Sequence, residues 1–424
     1  MRMTITEKIL ARGAGKWFIR PGEIVEAKID TLMMHDITST GAIKLLKEKF
    51  KNRITKDLNI VVTPDHYDHK DIESAGLYKE LMGFCKEHKK RKKMWVYPLG
   101  ENYGICHVML PQEGHIRPGD IIVGGDSHTC TYGALGAFST GIGTTEVGNV
   151  LATGKLWFKV PESLKIRIKG EKPENIMAKD IFLHVVGNIG VDGALYQAME
   201  WGGEVIDELD MDERLTLTNM AIEAGAKSGI IEPDKKVFEY LKGRLQEPLD
   251  ESSIADSDPG ARYVDILEYD ISDLGPLVAK PNLPSNVVPA SELEKVKIDQ
   301  AFIGSCTGAK LYDLKAAAEI LKDNKKAEHV RLIISPATQK IYKEVMQNKL
   351  GKIFLDAGAV IWPPGCGACL GAYMGVLASG EVCISSTNRN FRGRMGHLES
   401  RVHLGSPMTV AASAVKGYIR GAEL

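Results

Sequence analysis

Ala359-Val-Ile-Trp-Pro-Pro-Gly-Cys-Gly-Ala-Cys-Leu-Gly-Ala-Tyr-Met-Gly-Val-Leu377 is the stretch on which the reading of this chain turns. The apolar run Ala359 to Trp362 predicts a strand, the prolines and Gly365 a tight turn, and Leu370 to Leu377 a helix. Cys366 and Cys369 then lie on a loop at the carboxyl end of a strand, where α/β proteins build their sites. Cys306 has the same setting, between a predicted strand at Asp299 to Gly304 and a predicted helix at Leu311 to Leu321. Three thiolates are one short of enclosing a four-iron cluster, which leaves a position open. A zinc knuckle, a redox pair or buried apolar thiols are the alternatives on these residues alone. Zinc calls for a fourth Cys or a His near one of the loops, and a thioredoxin-type pair has no use for Cys306. Cys85, Cys106, Cys130 and Cys383 lie in ordinary contexts and read as structural.

Around this core the chain has 424 residues, 44% apolar and 26% charged, enough for two or three domains. A formal net charge of -1 gives no overall electrostatic footprint for nucleic acid or an acidic membrane. The one basic block, Lys86 to Lys93, reads as the solvated end of a helix. No window approaches a membrane span, and the first ten residues read as a short helix with Thr6 near its N-cap, not as a signal peptide. Seven cysteines without a regular framework suit a reducing compartment and predict a cytoplasmic protein.

Acid, base and anion groups follow other predicted strands. Asp65-His66 comes after Leu58 to Thr63, and Gly125-Asp126-Ser127-His128 comes after Asp120 to Gly124. If strand geometry persists past Gly124, Asp126 and His128 face one cleft. His107 follows Tyr103-Gly-Ile-Cys106, and His35-Asp36 stands before a helix start, to do similar work or to cap that helix. A carboxylate on an imidazole fixes its tautomer and raises its basicity, so these pairs suggest a proton-transfer site. The glycines of Gly133 to Gly143 fit close backbone packing better than phosphate binding. Arg389, Arg392 and Arg394 crowd a polar loop behind the strand Glu381 to Ile384, a credible carboxylate clamp.

Eight ordered motifs, among them Thr4-x-x-Glu-Lys-Ile-Leu10, Gly124-Gly-Asp-Ser-His-Thr-Cys-Thr-Tyr-Gly133, Asn219-Met-Ala-Ile-Glu-Ala-Gly-Ala226, Pro364-Gly-Cys-Gly-Ala-Cys369 and Asn388-Arg-Asn-Phe-Arg-Gly-Arg-Met-Gly396, resemble the aconitase superfamily. The likeness spans nearly the whole chain and is strongest to the large subunits of its two-subunit branch. It implies an α/β fold of three stacked α/β/α domains, residues 1–161, 162–284 and 285–424, without the swivelling domain. It also implies a [4Fe-4S] cluster on Cys306, Cys366 and Cys369. Asp65, His66, His107, Asp126, His128 and Glu223 are expected as the catalytic set, with His66 protonating the departing hydroxyl. His35, Ser127, Asn219, Asn388, Arg389 and Arg394 are expected to bind the substrate or order the site.

The implied reaction is dehydration and rehydration of a 2-hydroxy di- or tricarboxylic acid. Isopropylmalate is the leading substrate; homoaconitate, methylmalate and dimethylmalate are alternatives, and an RNA-binding relative or a zinc-stabilised scaffold is a remote one. The serine base that takes the carbon-bound proton belongs to the swivelling domain, so a separate small subunit is expected as partner, in a heterodimer or heterotetramer. No nucleic-acid or membrane partner is expected. Two departures bear on the substrate: Cys306-Thr-Gly-Ala-Lys310 stands where the family usually reads Cys-Thr-Asn-Gly-Arg, and Tyr67 to Lys70 differs from the branch pattern.

Overall fold

The computed structural model describes residues 2–67, 71–100, 102–293, 295–371 and 374–423. The departure at 68–70 lies outside them. Three predominantly parallel sheets organise the chain. The first runs Met94–Val96, Asn59–Val62, Thr31–Met34, Ile121–Gly124, Phe138–Gly141, all parallel. Its three central strands are buried at every position, as helices covering both faces require. The second runs Ser228–Ile231, Ala198–Gly202, Ser163–Lys169, Asp265–Asp270, again parallel.

The third and widest sheet runs Val287–Pro289, Leu277–Ala279, Arg401–Gly405, Val382–Ser385, Gln300–Ile303, Arg331–Ile334, Val360–Ile361. Its first two strands are antiparallel additions, and the rest is parallel. Strand order reverses between Thr31–Met34 and Ile121–Gly124 in the first sheet, and between Val382–Ser385 and Gln300–Ile303 in the third. Such reversals open a crevice outside the carboxyl ends of the strands, and the loops singled out above leave from those ends.

Most elements form as their local sequence predicts. The helix Leu311–Leu321 has the expected bounds, and Lys86 closes the helix Ile72–Glu87 with the basic block beyond it. Four expectations change. The first helix, Ile5–Gly13, is capped by Thr4, not Thr6, because Glu7 stands three residues on and completes a capping box. Asp126 ends the strand geometry and caps a 3-10 helix, Ser127–Leu135, through the backbone N–H of His128. Between 370 and 377 the described residues form no α-helix. A 3-10 turn, Gly367–Leu370, ends at Gly371, whose φ of +68° is left-handed and whose Cβ position would meet the Arg394 carbonyl at 2.7 Å. Lastly, the stretch 272–284, whose prolines predict an interrupted linker ahead of residue 285, contributes the strand Leu277–Ala279, since Pro276 and Pro281 fall just outside it.

The glycines of 133–143 bring layers into backbone contact. A Cβ on Gly133 would lie 1.7 Å from the carbonyl oxygen of Gly229, in the second sheet, and one on Gly141 would lie 2.5 Å from the Asp126 carbonyl. Gly133 thus fixes how closely the loop carrying His128 approaches the second sheet. Gly133→Ala should destabilise the protein by about 3 kcal/mol, the upper range for overpacking a closed interior, measured by urea unfolding. An unchanged midpoint would show that the two layers separate easily.

Candidate active site

The crevice holds a cavity of about 220 Å³ lined by His35, His66, His107, Asp126, Ser127, His128, Cys306, Cys366, Cys369, Asn388, Arg389 and Arg394, among others. Asp65, Asn219 and Glu223 stand immediately behind and bond to lining groups. All fifteen residues singled out in the sequence therefore converge on one place, from loops of all three sheets. Arg392 does not join them; its guanidinium bonds the Leu398 carbonyl on the surface.

Asp126 is the hub of the acid–base groups. One carboxylate oxygen accepts from His107 Nε2 at 2.7 Å and from the His128 backbone N–H at 2.7 Å, and the other contacts His66 Nε2 at 3.2 Å. His66 Nδ1 lies 2.9 Å from Asp65, whose other oxygen accepts from the Cys106 backbone N–H at 2.7 Å. A ring with a carboxylate on each nitrogen donates from both and is an imidazolium. Burial opposes that charge, but Cys366, Asp65 and Asp126 outweigh it and hold the His66 pKa well above its ordinary 6.5. For His107 burial wins and the pKa falls, and its Nδ1 is buried without a hydrogen-bond partner among the described residues. Two imidazoles on one carboxylate are thus driven apart, one acid and one neutral. His128 Nε2 contacts Glu223 at 2.9 Å, and the same Glu223 oxygen accepts from Arg389 Nε at 2.7 Å. Arg394 keeps a buried Nε without a partner among the described residues, a donor left for an anion.

The three thiols line the same cavity, and Cys366 Sγ lies within 4.8 Å of the polar atoms of Asp65 and His66. Cys306 Sγ receives the Asn219 amide N–H at 3.2 Å and that of Asn388 at 3.5 Å. Cys369 Sγ lies 3.8 Å from Asn388 Oδ1, and the Cys366 backbone N–H donates to the Asp65 carbonyl at 3.2 Å. Burial pushes the Cys306 and Cys366 thiols up, so metal binding here would release protons. Sulfur donors from two loops, with amide N–H groups aimed at one sulfur, suit a thiophilic metal centre.

Several residues take roles that the sequence alone did not indicate. Asp36 does not cap the following helix: it lies 3.8 Å from His35 Nδ1 and accepts from the backbone N–H groups of His66 and Tyr67, at 3.2 and 2.8 Å, and so fixes the His66 loop. His35 stacks on His66 with ring centroids 4.2 Å apart, its Nε2 on the Gly125 carbonyl at 2.8 Å. Ser305, in the cavity wall, bonds Asn388 Oδ1 at 2.6 Å and has a φ of +74°, a strained value for a side chain that gave no sequence signal. At the departure Lys310, a fully buried ammonium donates to Asp313 at 2.7 Å, Thr216 at 2.8 Å and the Cys306 carbonyl at 3.3 Å. The Cys306 loop is therefore held from behind by the residue that breaks the usual pattern.

The Asp126 network makes a pH-dependent contribution to stability. Burial raises the Asp126 pKa, but His107 and the bonds from His107, His128 and His66 overcome this and hold it well below 3.8. Its folded pKa is depressed, so its stabilisation is present above 3.8 and is lost as pH falls below that value. Asp126→Asn should cost about 3 kcal/mol near neutrality, and denaturant titrations should show the gap between variant and parent closing in acid. A gap independent of pH would mean that the carboxylate charge is not what the histidines recognise.

Comparison with known proteins agrees with this geometry. The Aconitase family (aconitate hydratase) matches residues 7–295 and 289–417. The 3-isopropylmalate dehydratase large subunit of Desulfatibacillum aliphaticivorans is 49% identical over 99% of this chain and 99% of its own length. That of Thermodesulfovibrio yellowstonii is 50% identical over 99% and 98%, and large subunit 1 of Pyrococcus furiosus 49% over 99% and 98%. The crystal structure of Thermococcus kodakaraensis aconitase X, in its holo-form, shares the fold at a TM-score of 0.50 and 13% identity, covering 92% of this chain and 93% of that one. With cysteine loops, carboxylate–imidazole pairs and arginines gathered in one crevice, the chain belongs to the aconitase family, beside its 3-isopropylmalate dehydratase large subunits.

Proposed function

We propose that this chain is the large, catalytic subunit of a cytoplasmic 3-isopropylmalate dehydratase, a hydro-lyase that interconverts 2- and 3-isopropylmalate through the alkene. The observation that carries the reading is the placement of His66, with a carboxylate on each ring nitrogen, in one cavity with three cysteines, Arg389 and Arg394. Near-50% identity along the full length of large subunits so named supports the substrate. Cys306, Cys366 and Cys369 would hold a [4Fe-4S] cluster, which when bound supplies a Lewis acid for the substrate hydroxyl through the iron lacking a cysteine.

The chain's own residues then divide the remaining work. Arg389, fixed by Glu223, and Arg394, with its spare Nε, hold the substrate carboxylates through planar forks. His66 gives its Nε2 proton to the departing hydroxyl and takes one back on rehydration, while Asp65 keeps the ring oriented and its Nδ1–H engaged. His107, neutral and bonded to Asp126, and His128, bonded to Glu223, order oxygen groups on the same side of the cavity. The base for the carbon-bound proton comes from a separate small subunit, which also closes the cavity against water. The "large subunit" names of the relatives support such a partner.

Loaded anaerobically with iron and sulfide and mixed with a 3-isopropylmalate dehydratase small subunit, the chain should convert 2-isopropylmalate to 3-isopropylmalate, with neither chain active alone. Turnover by the large chain alone, or a pair that ignores isopropylmalate and hydrates a homologous acid, would overturn the reading. In the active pair, His66→Ala should lower kcat about 10²- to 10⁴-fold with little change in KM, whereas Arg389→Lys should chiefly raise KM. Equal effects of both on KM would remove His66 from the proton transfer.

A further inference from the structure

Lys179 takes no part in the chemistry above, yet its position is unusual. It lies in the helix Ala178–Ile189, against the wide sheet, and is 1% exposed. Its ammonium donates to two consecutive carbonyls, Ser386 at 2.6 Å and Thr387, both just past the end of the strand Val382–Ser385. No ion pair from its Nζ to a carboxylate occurs among the described residues. The adjacent Asp180 is turned away, accepting from the backbone N–H groups of Met177 and Leu277 at 3.0 and 3.1 Å. A buried ammonium without a counter-ion is costly, and an apolar side chain of similar volume would fill the space without that cost.

The two carbonyls account for its presence. Along a strand, successive carbonyls point to opposite sides; here two in a row turn to one ammonium, so the chain has left strand geometry and bends into the crevice. The next residue, Asn388, touches Cys306 and Cys369, and the one after it, Arg389, reaches Glu223. The Ser386 carbonyl also accepts from Thr307 at 2.9 Å, which joins this bend to the Cys306 loop. Burial draws the Lys179 pKa down to about 7.

We propose that Lys179 is a positioning residue: by clamping the Ser386 and Thr387 carbonyls it sets where Asn388 meets the thiols and where Arg389 meets the substrate. The inference rests on the proposed function for its kinetic consequence, but not for its structural one. Hydrogen exchange of the metal-free full chain tests the latter. In Lys179→Met, amides between 386 and 394 should exchange about tenfold faster, as the loss of charged hydrogen bonds implies, with those of 121–141 unchanged. In the pair with the small subunit, KM for 2-isopropylmalate should rise about tenfold with kcat within twofold, and Lys179→Gln, which keeps a donor, should recover part of both. Unchanged exchange and KM, a uniform rise in exchange across the chain, or failure of both variants to fold would overturn the proposal. A parent pair inactive on isopropylmalate would sink the functional reading instead, with the exchange result still deciding Lys179.

Discussion

One half-buried carboxylate holds the acid–base half of this site together. Asp126 takes His107 and the His128 backbone on one oxygen and His66 on the other, so three loops are indexed to one group. A carboxylate in a closed interior is stable only when its lone pairs are filled, and that requirement brings the histidines together. It also splits their roles, because among the described residues His66 has a second carboxylate at Asp65 and His107 has none. The neutral ring and the imidazolium therefore need no external agent to tell them apart.

The thiols in the same cavity are ordered by amides and ammonium groups. Asn219 and Asn388 aim N–H groups at Cys306, while Lys310 and Lys179 secure the backbone of the loops behind. Carboxylates, imidazoles, sulfur and the arginines line one small cavity. Such an array is poor at stabilising a fold and well suited to binding a group that needs soft donors and proton donors together. The glycine contacts at Gly133 and Gly141 let the loops come close enough for this, since any side chain there would push the layers apart.

Local signals and tertiary packing diverged most at the cysteine pair. The run Leu370 to Leu377 has helical composition, but Gly371 and Gly375 adopt left-handed backbone, and Gly371 presses against the Arg394 carbonyl. Propensity lost to the need for the Cys369 loop and the arginine loop to touch. The same holds for Asp126: strand periodicity suggested that it and His128 face one way, whereas a cap that starts a 3-10 helix achieves that result by another geometry.

By itself the sequence determined the α/β class, the strand-end location of the cysteine loops, and the identities of the residues that gather in the crevice. Apolar runs and Gly/Pro turns carry the first two, whereas Asn219, Glu223 and Asn388 were legible as site residues only through the resemblance of their motifs to the aconitase superfamily. Tertiary structure alone decided that Asp126 serves two imidazoles, that Glu223 serves both His128 and Arg389, that Asp36 anchors the His66 loop, and that Lys179 and Lys310 are buried behind the site. Each of those bonds joins residues distant in the chain or depends on burial, and neither distance in space nor exclusion of water is encoded at any single position.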